Sequence, residues 1–178
     1  MAVTILSGKN FRKKVSVGTS VRETKKARDF IAALRQDYPD LTFKSGKQEN
    51  WSPKNKTITF QPNQPLKKLQ YGVLHELAHA QLGHNNYQSD FELLKLESKA
   101  WELATRIGEN YNVLIDSDHI QSCLDTYRDW LHKRSACPNC GMHVLQQSAR
   151  LYRCFNCQAQ WHVSSGRFVR PYRRTISK

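Results

Sequence analysis

Between Leu66 and Leu82 the chain places Leu69, Val73, Leu77 and Ala80 at helical spacing, and the same segment contains His75-Glu76-Leu77-Ala78-His79. Three ionisable side chains within the otherwise apolar stretch Gly72 to Ala80 are costly unless the fold gives them partners, so this pentapeptide constrains everything packed around it. It fits H-E-x-x-H. Residues i and i+4 stand one above the other on a helix face, so two imidazoles converge on one zinc ion while the glutamate between them points at the open coordination position. Zinc lowers the pKa of a water that it binds, Glu76 can take the proton, and the same carboxyl can later pass it to a leaving amine. The expectation is a catalytic zinc on His75 and His79, with Glu76 as the catalytic residue of peptide-bond hydrolysis.

A catalytic zinc ordinarily has a third protein ligand. His84 lies five residues beyond His79, but Gly83 is placed to end the helix first, and the six-residue step of the longer H-E-x-x-H-x-x-G-x-x-H pattern is not met. Glu97 is the stronger candidate. It shares one stripe of the next predicted helix, Asp90 to Asn110, with Ala100, Trp101 and Ala104, so it lies on the inward face. A carboxylate there needs a partner, and a metal ion is a good one. Glu92 lies early in that helix and Glu102 points elsewhere. His84, if not a ligand, is left as a helix-end contact or as a hydrogen-bond partner of a ligand.

The run His75 to His84 (HELAHAQLGH), followed by Glu97-x-x-Ala100 and Ala104, resembles the ImmA/IrrE group of small gluzincins. In that group a glutamate on a downstream helix supplies the third ligand. The likeness covers about Leu66 to Ala104, with Lys99 standing where the family often has a second acid. It implies a zincin-like core of helices on a small sheet. An H-E-x-x-H domain joined to a C-terminal zinc ribbon and a basic surface also resembles the architecture of SprT-like metalloproteases, whose known members cleave proteins crosslinked to DNA. Their third ligand is a histidine well downstream, and none stands between His84 and His119, so their ligand set does not carry over.

Cys137-Pro-Asn-Cys140 and Cys154-Phe-Asn-Cys157 form C-x2-C-x13-C-x2-C. Each pair suits a tight knuckle aiming two thiolates at one ion, and four thiolates leave no open position, so a structural zinc is expected here. Tyr152, Phe155 and Trp161 are expected as the small core of this ribbon. Cys123, the fifth cysteine, is expected as a small buried apolar residue.

The net charge is +13 and unevenly placed. From Leu131 onward there is no Asp or Glu against nine Lys and Arg, and the first 28 residues hold eight more against Glu23 alone. A basic surface of this kind suits a polyanion. DNA is the expected partner, single strands included, since Arg167, Arg170, Arg173 and Arg174 interleave with Phe168 and Tyr172. No stretch approaches the roughly 18 apolar residues that a membrane helix requires, and Met1 to Lys14 lacks an export-type apolar run. No membrane partner and a cytoplasmic location are expected.

The fold expected is α+β: a zincin-like metallopeptidase domain over residues 1–116, a helical connector over 117–135, a four-cysteine zinc ribbon over 136–166 and a basic tail over 167–178. Two strands, Leu41 to Lys44 and Lys56 to Phe60, form the small sheet, with Ser52-Pro53 in the turn between them. The last eight residues hold too little apolar content to pack. The expected function is zinc-dependent hydrolysis of proteins associated with DNA. The alternative is a nucleic-acid-binding or regulatory zinc-ribbon module on an inactive zincin scaffold, and hydrolysis of a bond other than a peptide is a third reading.

Overall fold

Phe30, Ile31 and Leu34 recur at helical spacing and are buried together, which seats α1 (Val21–Asp37) against the core before Pro39 prevents its continuation. The computed structural model describes residues 21–148, 150–164 and 173–176. It is α+β, with four helices and two small sheets among these residues. No helix among them is long and apolar enough to cross a membrane.

The first sheet is β1 (Thr42–Ser45), β2 (Asn50–Ser52) and β3 (Thr57–Phe60), in the order β1-β3-β2. β3 is central because its TITF run is buried along most of its length; it pairs parallel to β1 and antiparallel to β2. β2 was not legible in the sequence. Its three residues are too few to show alternation, and Pro53 reads as a turn, whereas the chain makes a 3-10 turn at Pro53–Asn55 and reverses through Lys56 at φ 46°.

The helices α2 (Leu66–Gln81), α3 (Asp90–Asn110) and α4 (Ser117–Ser135) complete this layer. Leu69, Val73, Leu74 and Leu77 of α2 are buried in the same apolar cluster as Ala100, Trp101 and Ala104 of α3. Gly83, at φ +65°, ends α2 in the left-handed region that a side chain disfavours. At the start of α3, Ser89 accepts from the Glu92 amide (3.1 Å) while the Glu92 carboxylate accepts from the Gln88 amide (2.6 Å), so two orphan donors are satisfied locally. α4, expected as a connector, also contributes Leu124 to the core, with Ile120 and Cys123 packed against it. Cys123 is only half-buried, its sulfur 3.6 Å from His119 Nε2.

The second sheet is antiparallel, in the order β4 (Gln146–Ser148), β5 (Leu151–Arg153), β6 (Gln160–Val163) and β7 (Arg173–Ile176). Tyr152 and Trp161 stack in its core with Cys137, Val144, Cys154 and Val163. Two expectations are corrected here. Phe155 is 68% exposed, because it sits at the tip of the knuckle between Cys154 and Cys157. Arg173–Ile176 pairs with β6 although it is poor in apolar residues, since backbone hydrogen bonding does not require them.

A buried ion pair between α3 and α4 gathers the hydrogen bonds that tie the second sheet to the helices. Arg134 Nε lies 2.7 Å from Asp90 Oδ2, and the side chains are 2% and 5% exposed. The Tyr152 hydroxyl also donates to Asp90, Arg134 donates to the Ser164 carbonyl, and the Arg134 carbonyl accepts from the Trp161 indole (3.1 Å). Asp90 further donates its amide to Gln146 Oε1 (2.8 Å). Removing one partner strands a buried charge, so Asp90→Ala or Arg134→Ala should each lose about 3–5 kcal/mol. An Asp90→Leu, Arg134→Met double variant should lose much less than the sum, as read from urea-unfolding midpoints.

Candidate metal centres

His75 and His79 stand one turn apart on α2, and Glu97 reaches them from the buried face of α3. His75 Nε2 is 3.1 Å from Glu97 Oε2 and 3.1 Å from His79 Nε2, and His79 Nε2 is 3.7 Å from Glu97 Oε1. One ligand atom from each residue lies within 4.8 Å of the others, so the three could hold a metal ion. Each ring has a further contact. His75 stacks on Trp101 at 4.1 Å between centroids, and His79 Nδ1 lies 2.9 Å from His84 Nδ1.

His84 therefore does not join this group, whereas Glu97 does. The left-handed turn at Gly83 carries His84 to the far side of the His79 ring, where its imidazole can fix the tautomer and orientation of His79. Burial lowers the pKa of His84, and the neighbouring His79 lowers it further, so its neutral form is favoured.

Electrostatics separate the two acids. Burial works against the charged form of Glu97, but hydrogen bonds from His75 and His79, together with their charges, outweigh it and hold the carboxyl down at about 2. For Glu76 burial prevails, and its pKa is raised in spite of His75, His79 and a hydrogen bond from the Trp51 backbone N–H. Two adjoining carboxyls thus differ in proton affinity, the arrangement by which environment assigns them different roles.

Glu76 faces open space on two sides. A cavity of about 220 Å³ is lined by Trp51, His84 and Tyr87, and another of about 330 Å³ by Glu49, Gly72, Trp101 and His119. Both are also lined by His75, Glu76, Glu97 and Tyr127, so these four mark where the cavities meet. Tyr127 on α4 was missed by sequence reasoning, since nothing in its helical spacing distinguishes it from a packing residue. Trp51 was missed because β2 was missed. Its indole donates to the His84 carbonyl (3.2 Å), which ties the sheet edge to the loop after α2.

The four cysteines Cys137, Cys140, Cys154 and Cys157 also gather within 4.8 Å and could hold a second ion. Cys137 Sγ is 3.5 Å from Cys157 Sγ, and Cys140 Sγ is 3.5 Å from Cys154 Sγ, far longer than a disulfide at about 2.05 Å. The Met142 amide and the Asn156 side chain lower the Cys140 pKa, whereas at Cys157 the Ala159 amide is outweighed by burial and the neighbouring sulfurs and the pKa is raised.

Of the arginines singled out for nucleic acid, Arg167 and Arg170 lie outside the described residues. Arg173 and Arg174 belong to β7, and Arg174 is exposed opposite His162. Strand alternation puts Arg153, His162 and Arg174 on one outer face of the ribbon, across three adjacent strands.

Because the pKa of Glu97 is depressed from 4.5 to about 2, its contribution to stability is present above pH 4.5 and is lost as the pH falls toward 2. Glu97→Gln should remove that part of the acid dependence of the chelator-treated protein, measured as unfolding midpoints across this pH window. No family model, curated protein or solved structure matches the chain, so the reading of its function rests on the geometry of the site.

Proposed function

We propose that this chain is a zinc metallopeptidase with a zincin-like core and a ribbon stabilised by a second, structural zinc, acting on proteins associated with DNA. The observation that carries this reading is the convergence of His75, His79 and Glu97 beside a desolvated Glu76 at the meeting of two cavities. The donor set fits the metal. Two imidazole nitrogens and one carboxylate are the ligands of open catalytic zinc sites, and the contact of His84 with His79 is the outer support such ligands usually have. For the cysteines, Zn–S bonds of about 2.3 Å imply tetrahedral S–S edges of about 3.8 Å, near the 3.5 Å separations found.

Zinc bound between these residues supplies Lewis acidity, which acidifies a water and polarises a carbonyl. The chain's own residues do the rest. Glu76, its proton affinity raised by burial, is suited to accept a proton at the start of hydrolysis and to release it to the leaving amine. The Trp51 amide orients its carboxylate, and Trp101 and His84 keep the two imidazole rings in place. The cavities flanking Glu76 would receive the residues on either side of the scissile bond.

The second reading, a nucleic-acid-binding module on an idle scaffold, draws on the outer ribbon face with Arg153, His162 and Arg174. Two measurements separate them. Purified protein should carry two zincs per chain, falling to one in a His75→Ala, His79→Ala double variant. Glu76→Gln should keep both metals yet lose at least about 10²-fold in peptide cleavage. Unchanged cleavage by that variant, or one zinc in both proteins, would put the binding module first. For DNA, Arg174→Ala should reduce the slope of log affinity against log salt by about one.

A further inference from the structure

The larger cavity contains a third carboxylate that neither metal ligation nor proton transfer employs. Glu49 stands immediately before β2 and lines the same cavity as His75, Glu76 and Glu97. Two features hold it there. Gln64, 6% exposed, donates from Nε2 to Glu49 Oε1. Gly72, one turn before Glu76 on the same face of α2, leaves the space across which the Glu49 side chain lies; a Cβ at position 72 would stand 2.6 Å from Glu49 Cγ. Alanine would favour the helix by about 1 kcal/mol over glycine at such a position, so the glycine is understandable as room for this glutamate.

Glu49 forms no ion pair among the described residues. Within the cavity, Glu97 faces the two histidines and Glu76 is the base of the proposed reaction, which leaves the charge of Glu49 uncompensated. Lys68 lines the cavity too, but its side chain is exposed and unpaired with Glu49. Trp101 and Tyr127 supply aromatic wall, against which an aliphatic stem or a cationic head can pack.

We propose that Glu49 is the anionic end of a substrate subsite that takes a cationic group next to the scissile bond: a lysine or arginine side chain, or the ammonium of a substrate's own N-terminus. This rests on the peptidase reading and specifies its substrate class. Proteins that bind DNA through phosphate contacts are rich in such side chains.

The test uses the full-length zinc-loaded protein and quenched peptides that differ at one position flanking the scissile bond, carrying Lys, Arg, norleucine or Glu. Each is made with a free and with an acetylated N-terminus. Lys and Arg peptides should exceed the norleucine peptide in kcat/KM by about tenfold, chiefly through KM. Glu49→Gln should bring that ratio near one, and Glu49→Lys should reverse it in favour of the Glu peptide. Gly72→Ala, which displaces Glu49 without altering any charge, should also lower the ratio, while Glu102→Gln on the exposed face of α3 should leave it intact. A preference that follows the free amine instead of the side chain, and is lost in Glu49→Gln, identifies the N-terminal ammonium as the group bound. A Lys preference that survives Glu49→Gln overturns the proposal. If wild type cleaves none of the peptides, the peptidase reading fails separately, and the subsite is read by calorimetric titration of the Lys peptide onto the Glu76→Gln protein. Adding Glu49→Gln should then weaken binding about tenfold; equal affinity overturns the subsite as well.

Discussion

Two buried carboxylates, seven residues apart on α3, organise this protein. Asp90 and Glu97 are 4% and 6% exposed, and a buried carboxylate stays charged only where cations and hydrogen-bond donors compensate it. Asp90 finds Arg134 and Tyr152 and so fixes the ribbon to the helical layer. Glu97 finds His75 and His79 and so fixes α3 against α2 at the site. An interval of seven residues is close to two helical turns, so one face of one helix serves both demands.

The same requirement governs the surroundings of the site. Each imidazole has a further contact, the stacked face of Trp101 for His75 and the Nδ1 of His84 for His79, which limits the freedom of the group. Trp51 adds a further tie, since its amide serves Glu76 and its indole serves the His84 carbonyl. The sheet edge, the loop after α2 and the acid proposed as general base are therefore positioned together. In the proposed reading, precision at the metal comes from this packing, and the openness needed for substrate comes from the cavities to either side of Glu76.

Much of this was legible along the chain. The apolar spacing from Leu66 onward and the stop at Gly83 place α2 almost to the residue, and the stripe of Glu97, Ala100, Trp101 and Ala104 turns one acid of α3 inward. The cysteine spacing brings four thiols together. Short elements were harder. β2 has three residues and β7 is dominated by arginines, so neither shows the pattern of a half-buried strand, and both form because a neighbouring strand offers backbone partners. Phe155 shows the converse, an aromatic residue that the knuckle geometry turns outward.

By itself the sequence determined what depends on separations of a few residues: helical faces, the i and i+4 histidines, the knuckle pairs and the helix end at Gly83. Periodicity and turn chemistry act over those distances, so they can be read without a fold. Only the tertiary structure brought Glu97, and not His84, within reach of both histidines, lined the adjoining cavities with Trp51 and Tyr127, and set Glu49 over Gly72. These residues meet across elements that lie far apart in the chain. Their contacts follow from how α2, α3, α4 and the sheet edge pack to bury apolar surface and compensate buried charge, and that is a property of the whole fold.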